Sequence, residues 1–273
     1  MSSPLFDPAL VPERRPARRR VGLGTFGLTV FNLLYWPYLL ATCVLFFAPA
    51  ALIFAVTRPI PRTRPWLHRY TNWWAGHYLA WAPYAGVAVR GREHVPSTTA
   101  CIFIANHQSM VDILAVHAAG LSFLWVSKIE NFFVPFLGWN MALNGYVPLR
   151  RGYFPSILRM VRRCLRQIGL GRSLFIFPEG TRSPTGELMD FYPGAFRLAA
   201  RQGVPIVPLV IEGTQRVLPK QRLRIDPQPV EARFLEPIHP QDHGNDWRRL
   251  RDVARERMAS ELARIRGARD VSS

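Results

Sequence analysis

Lysine is almost missing from this chain: Lys128 and Lys220 are the only two among 35 basic residues, so arginine carries the cationic character. Acid is scarce too, with 18 Asp and Glu leaving a formal net charge of +17. Nucleic acid, anionic lipid and phosphorylated small molecules are all admissible partners of such a chain, and charge alone does not choose among them. Cysteine is limited to Cys43, Cys101 and Cys164, far apart and outside any CxxC or Cys/His cluster. Neither a disulfide framework nor a zinc site is therefore expected, and no other metal site suggests itself. No Gly-x-Ser-x-Gly elbow exists to expose a serine nucleophile, and no internal repeat is visible. The longest absence is of charge itself, which is missing from Val21 to Thr57.

That uncharged run exceeds the span of about 20 apolar residues needed to cross a bilayer. Pro37 and Pro49 interrupt it, and each is expected to kink or break a helix. Arginines flank it on both sides, Arg14 to Arg20 before and Arg58, Arg62, Arg64 and Arg69 after. Positive flanks on both sides favour two ends on the cytoplasmic face, hence a re-entrant or interfacial helical hairpin. Ahead of it, residues 1–20 read as a disordered basic arm. Behind it, Trp66 to Tyr84 carries seven Trp and Tyr rings. Such rings suit the headgroup boundary, and an aromatic core helix is the competing reading. The unit 21–84 is accordingly expected to be membrane-associated.

From Gly86 the texture changes to short strands alternating with helices. Strands are predicted at 86–90, 100–105, 122–127, 145–149, 173–177, 205–212 and 230–235, and helices at 107–119, 131–143, 155–168, 194–202 and 246–266. This alternation predicts an α/β fold with a mixed, largely parallel sheet flanked by helices, occupying 85–240. Residues 241–273 form an amphipathic helix and tail. Leu250, Val253, Ala254, Met258, Leu262 and Ile265 make one stripe on that helix, suited to packing on the domain or, alternatively, to a membrane surface.

The chemistry-bearing residues collect where predicted strands end. The strand Ala100–Ala105 runs into Asn106, a good helix-start residue, and then His107, with Asp112 five positions on. In a bend before a helix the two side chains can meet, and a carboxylate that orients an imidazole makes a general base. A helix start with a satisfied histidine would produce the same spacing. Lys128, Arg151 and Glu179 also follow strand ends, and parallel strands would deliver them to the crevice where α/β sheets bind ligands. Arg and Lys suit a phosphate there. Pro178 and Gly180 suit a tight turn whose N–H groups, with Thr181, could face an anion.

These stretches together resemble the glycerolipid acyltransferase family, typified by the 1-acylglycerol-3-phosphate (lysophosphatidic acid) acyltransferases. Asn106-His107 to Asp112 resembles its His-x4-Asp motif, and Phe177-Pro178-Glu179-Gly180-Thr181-Arg182-Ser183 its phosphate-binding motif. Val204 to Pro208 resembles a further block; Gly145 to Arg151 matches another only in part, with Pro148 and Arg150 departing from it. The resemblance implies catalysis by His107 and Asp112, and substrate binding by Lys128, Arg151, Glu179, Gly180, Thr181 and Arg182. It implies acyl transfer from acyl-CoA or acyl-carrier protein to the free hydroxyl of 1-acylglycerol-3-phosphate, at the cytoplasmic face of a membrane. No cofactor beyond the thioester co-substrate and no nucleic-acid partner is expected. Another lysophospholipid or a lyso-aminolipid is the alternative acceptor, and a non-catalytic basic binding protein the reading from a different class.

Overall fold

The computed structural model describes residues 24–59, 64–81 and 86–270; the basic arm 1–20 lies outside them. All seven predicted strands form, within a residue or two of their predicted ends. They are β1 (Val87–Arg90), β2 (Ile102–Ala105), β3 (Leu124–Lys128), β4 (Val147–Leu149), β5 (Leu174–Ile176), β6 (Ile206–Glu212) and β7 (Val230–Phe234). They join one sheet in the order β1-β7-β6-β2-β5-β3-β4. Five neighbouring strands, β6 through β4, run parallel, while β7 is antiparallel to β6 and carries β1 with it. β2 and β6 are buried at every position, as strands covered on both faces must be.

Helices cover both faces: α3 (Val111–Ala118), α4 (Leu137–Leu143), α5 (Phe154–Gly169), α6 (Gly194–Gln202), α7 (Thr214–Val217) and α8 (Trp247–Asp270). The α8 stripe of Leu250, Ala254, Met258, Leu262 and Ile265 is buried, so this helix packs on the domain. Two predicted helices depart from their expected form. The helix expected from His107 starts at Val111, because Asn106 is no helix cap: its buried amide donates to Ile211 O and accepts from Ile211 N–H, both at 2.8 Å, tying β2 to β6. The helix expected over 131–143 is split into a 3-10 turn (Ile129–Phe133) and α4, with Pro135 between them and Phe136 at φ 61°. The short α7 was not anticipated.

The N-terminal unit departs most from expectation. Two helices precede β1: α1 (Thr25–Thr57) and α2 (Arg64–Trp81). α1 runs unbroken through Pro37 and Pro49, so no hairpin turn falls among the described residues of the uncharged run, 24–57. A proline inside a helix loses one backbone hydrogen bond and crowds the carbonyl four residues back, at about 3 kcal/mol. Contacts along nearly the whole length of α1 offset that cost. Asn32 exchanges two hydrogen bonds with the Ile225 backbone, and the Trp36 indole donates to Leu223 O. Further along, Phe46 meets Trp73 and Trp74, and Phe47 meets Phe136 and Trp139. The return limb is α2, antiparallel to α1, since Tyr38 pairs with His77 while Phe46 O accepts from Tyr70. α2 buries Trp74 and Tyr78 and exposes Trp66 and Trp73, combining the two readings of its aromatics.

Candidate active site

The crossing from β2 to α3 makes the centre of the site. After Ala105 the chain bends rather than coils, and Asp112, in the first turn of α3, reaches back into the bend. Its Oδ2 accepts from His107 Nδ1 at 2.7 Å, from the Gln108 N–H at 2.7 Å and from the Ser109 N–H at 2.8 Å. Asp112 is fully buried, whereas His107 keeps an exposed edge. Because the carboxylate accepts a hydrogen bond from Nδ1–H, Nε2 is left as the basic nitrogen. Phe177 lies flat on the imidazole, centroids 4.0 Å apart and planes 13° apart, and Trp125 stacks behind Phe177 at 5.3 Å. The ring therefore has little room to turn.

The turn after β5 closes on the same bend. Glu179 is 3% exposed, and its two oxygens accept from the backbone N–H groups of His107 (2.8 Å) and Met189 (3.2 Å). Ser183 N–H donates to His107 O at 2.7 Å, so the bend is held from both peptide groups of its histidine. Burial pushes the Glu179 carboxyl up to about 7, against the pull of its two N–H donors. Glycine is required at 180, where φ is +69° and a Cβ would meet the Tyr192 ring at 3.0 Å. Thr181 is exposed, Arg182 half-buried, and Lys220 Nζ donates to Arg182 O at 2.9 Å.

Lys128 and Arg151 end β3 and follow β4, on the same edge as His107 because all these strands are parallel. At about 4.8 Å per strand they stand roughly 10 and 14 Å along that edge from β2. Both are exposed, and Lys128 pairs with Glu130 at 3.4 Å. Direct contacts thus unite His107, Asp112 and Glu179, while the two cations share their edge at a distance. Ser109, the tempting nucleophile, is buried with Oγ donating to Leu218 O at 2.7 Å, and it is not presented to a substrate. Sequence reasoning quoted Phe177 within its motif without a role, and treated Asn106 as a cap. The aromatic at a strand end and the inability of a fully buried strand end to leave an amide unpaired were the available signals.

A family model described as Acyltransferase matches residues 86–212, which covers β1 through β6 with His107, Asp112, Lys128, Arg151 and Glu179. A 1-acyl-sn-glycerol-3-phosphate acyltransferase from Chlamydomonas reinhardtii is 31% identical over 83% of this chain and 67% of its own. The chain belongs to the Acyltransferase family. A chloroplastic 1-acyl-sn-glycerol-3-phosphate acyltransferase from Brassica napus is 40% identical over 52% of this chain, and the chain spans only 44% of that relative's length. The solved 1-acyl-sn-glycerophosphate acyltransferase PlsC from Thermotoga maritima superposes with a TM-score of 0.77, covering 88% of this chain and 98% of that one. At 24% identity this likeness shows a shared fold. The mixed, largely parallel sheet flanked by helices is therefore a fold this chain shares with a solved acyltransferase.

Proposed function

We propose that the chain moves a fatty acyl group from acyl-CoA or acyl-carrier protein to the free hydroxyl of 1-acylglycerol-3-phosphate, giving phosphatidic acid. The 2.7 Å bond from His107 Nδ1 to a fully buried Asp112 carries this reading, because it leaves Nε2 to act as base at the open strand edge. Nε2 takes the proton of the glycerol hydroxyl as its oxygen attacks the thioester carbonyl. Asp112 stabilises the imidazolium, the tetrahedral adduct expels the thiolate, and the thiolate takes the proton from Nε2. The thioester arrives activated, so neither a covalent acyl-enzyme nor a further cofactor is needed. Glu179 acts here as a positioning residue, holding the His107 backbone rather than touching substrate. Arg151, Lys128 and the turn Gly180-Thr181-Arg182 supply the acceptor's anionic headgroup with cations and N–H donors.

The acceptor is that of the relatives named above, and the departures at Pro148 and Arg150 make another lysophospholipid or a lyso-aminolipid the competing choice. Thioester-dependent incorporation of labelled acyl chains into a panel of lysolipids decides it. We expect 1-acylglycerol-3-phosphate to be the best acceptor; incorporation into none of the panel would overturn the reading.

α1 is long and apolar enough to cross a membrane. We read it as lying along the cytoplasmic face with both ends on one side. Its inner face rests on the catalytic domain from Asn32 to Phe47, so crossing would carry the exposed Arg222 and Arg224 into lipid. Leu33, Leu34, Leu40, Leu45 and Leu52 face outward, free to enter one leaflet. Tags placed before Val21 and after Thr57 should both be reachable from the cytoplasm; protection of one alone would mean a crossing.

A further inference from the structure

Between the end of β3 and α4 the chain makes a knob that presents apolar side chains to the outside. Phe133, Val134 and Leu137 are 74%, 45% and 41% exposed. The backbone is strained to place them so. Phe136 sits at φ 61° and ψ −53°, in a three-residue turn closed by Leu137 N–H to Pro135 O at 2.6 Å. A non-glycine residue in that region is uncommon and costs roughly 1–3 kcal/mol. Gly138 permits the close approach that follows, since a Cβ there would lie 2.4 Å from Phe132 O. Strain at a surface loop that exposes rather than buries its hydrophobic residues points to something outside the chain that covers them.

Two further features say what covers them. Phe136 turns inward against Phe47 of α1 and Trp139, at 5.7 and 5.0 Å between centroids, so the knob lies beside α1, whose Leu45 and Leu52 face outward. Cations surround it at the strand ends: Lys128, Arg150 and Arg151 are exposed, with Glu130 the one acid among them, and Arg150 lies over the Tyr153 ring. An apolar tip rimmed by cations and aromatics suits the headgroup layer of an anionic bilayer, where apolar groups enter and basic groups stay at phosphate level.

We propose that the knob Phe133-Val134-Leu137 inserts into the interface of an anionic membrane and seats the catalytic edge on it, beside α1. The proposal rests on the reading of α1 as lipid-facing. Docking of an acidic soluble protein, such as a carrier protein, would use the cations without needing continuity with α1.

The test uses the full chain. Cys43, Cys101 and Cys164 are buried, so an introduced surface cysteine can be labelled selectively. An environment-sensitive fluorophore is placed at Phe133→Cys, at Leu45→Cys on the outer face of α1, and at Leu170→Cys on the opposite edge of the sheet. Vesicles of phosphatidylcholine, with and without phosphatidylglycerol, carry a nitroxide lipid as quencher. We expect quenching at 133 and 45 and none at 170, with the signal at 133 strengthened by the anionic lipid. Quenching at 45 without 133 overturns the knob and leaves α1 standing; quenching at neither overturns both. A response at 133 to acidic carrier protein but not to vesicles assigns the surface to a protein and overturns the proposal. Independently, the double variant Phe133→Ser, Leu137→Ser should weaken partition onto anionic vesicles about tenfold by removing inserted apolar area. Unchanged partition would sink it.

Discussion

The carboxyl edge of the sheet has two halves built on opposite principles. At β2 and β5, His107, Asp112 and Glu179 are buried or nearly so, and backbone N–H groups hold both carboxylates. At β3 and β4, Lys128, Arg150 and Arg151 stand in solvent, Lys128 beside Glu130 and Arg150 over the Tyr153 ring. The contrast follows from the tasks proposed for each half. A base must be aimed before its substrate arrives, since reorganisation at the moment of proton transfer raises the barrier. A phosphate collector gains from long, mobile cations that reach outward, because most of its work is attraction at a distance.

Breaking the rigid half should cost most. His107→Ala should lower thioester-dependent acyl incorporation by about 10²–10⁴-fold, the usual yield of a general base. Vesicle binding should be untouched, and retention of half the activity would remove His107 from the chemistry. Asp112→Asn should come close to that loss. His107 Nδ1 and the Gln108 and Ser109 N–H groups all meet one oxygen, Oδ2, so an amide oxygen placed there can accept the same three hydrogen bonds, but without its charge it no longer stabilises the imidazolium. Thermal unfolding should therefore shift little beside the loss of rate. Rate retained together with a collapsed fold would make Asp112 structural.

Glu179→Gln sharpens the comparison, because it changes the brace and leaves the base. One amide oxygen replaces two acceptors, so either His107 N–H or Met189 N–H loses its partner, and we expect about a tenfold fall in kcat. The same variant reads out the charge. A carboxyl raised to about 7 holds its proton more tightly when folded than when unfolded. Its contribution is fully present below the ordinary carboxylate range and is lost as pH rises toward 7. The stability advantage of the parent over Glu179→Gln should thus narrow across that window and stay level above it. Melting curves taken at successive pH values would show a constant gap if burial were not setting the proton affinity.

Much of this edge was legible in the chain because its signals are local. Short apolar runs bounded by Gly, Pro and polar residues mark all seven strands, and parallel order places their ends together. What escaped depends on partners far away in sequence. The pairing of Asn106 with Ile211, 105 residues on, turns a helix-start residue into a sheet clamp. Likewise the partners of Glu179 are backbone N–H groups, which every residue type except proline offers, so its role as a brace leaves no mark in composition. Pro37 and Pro49 misled for the same reason: their local cost is real, and contacts from loops and helices far along the chain outweigh it.

Changing the exposed half should cost least, and should act differently. Arg151→Ala is expected to raise the apparent KM for the acceptor about tenfold with kcat nearly kept, as removal of one charge-assisted phosphate contact does. Lys128→Ala should do less, within a few-fold, because the ammonium is hydrated and already shared with Glu130 at 3.4 Å. Neither change should move the melting temperature, since exposed pairs of this kind contribute about 1 kcal/mol or less. Raising the salt should erode the parent's advantage over both variants, while leaving the loss in His107→Ala as large as before. A thioester KM that rises instead, with the acceptor's unchanged, would hand these cations to the donor. The two halves of the edge would then divide the substrates in the opposite sense.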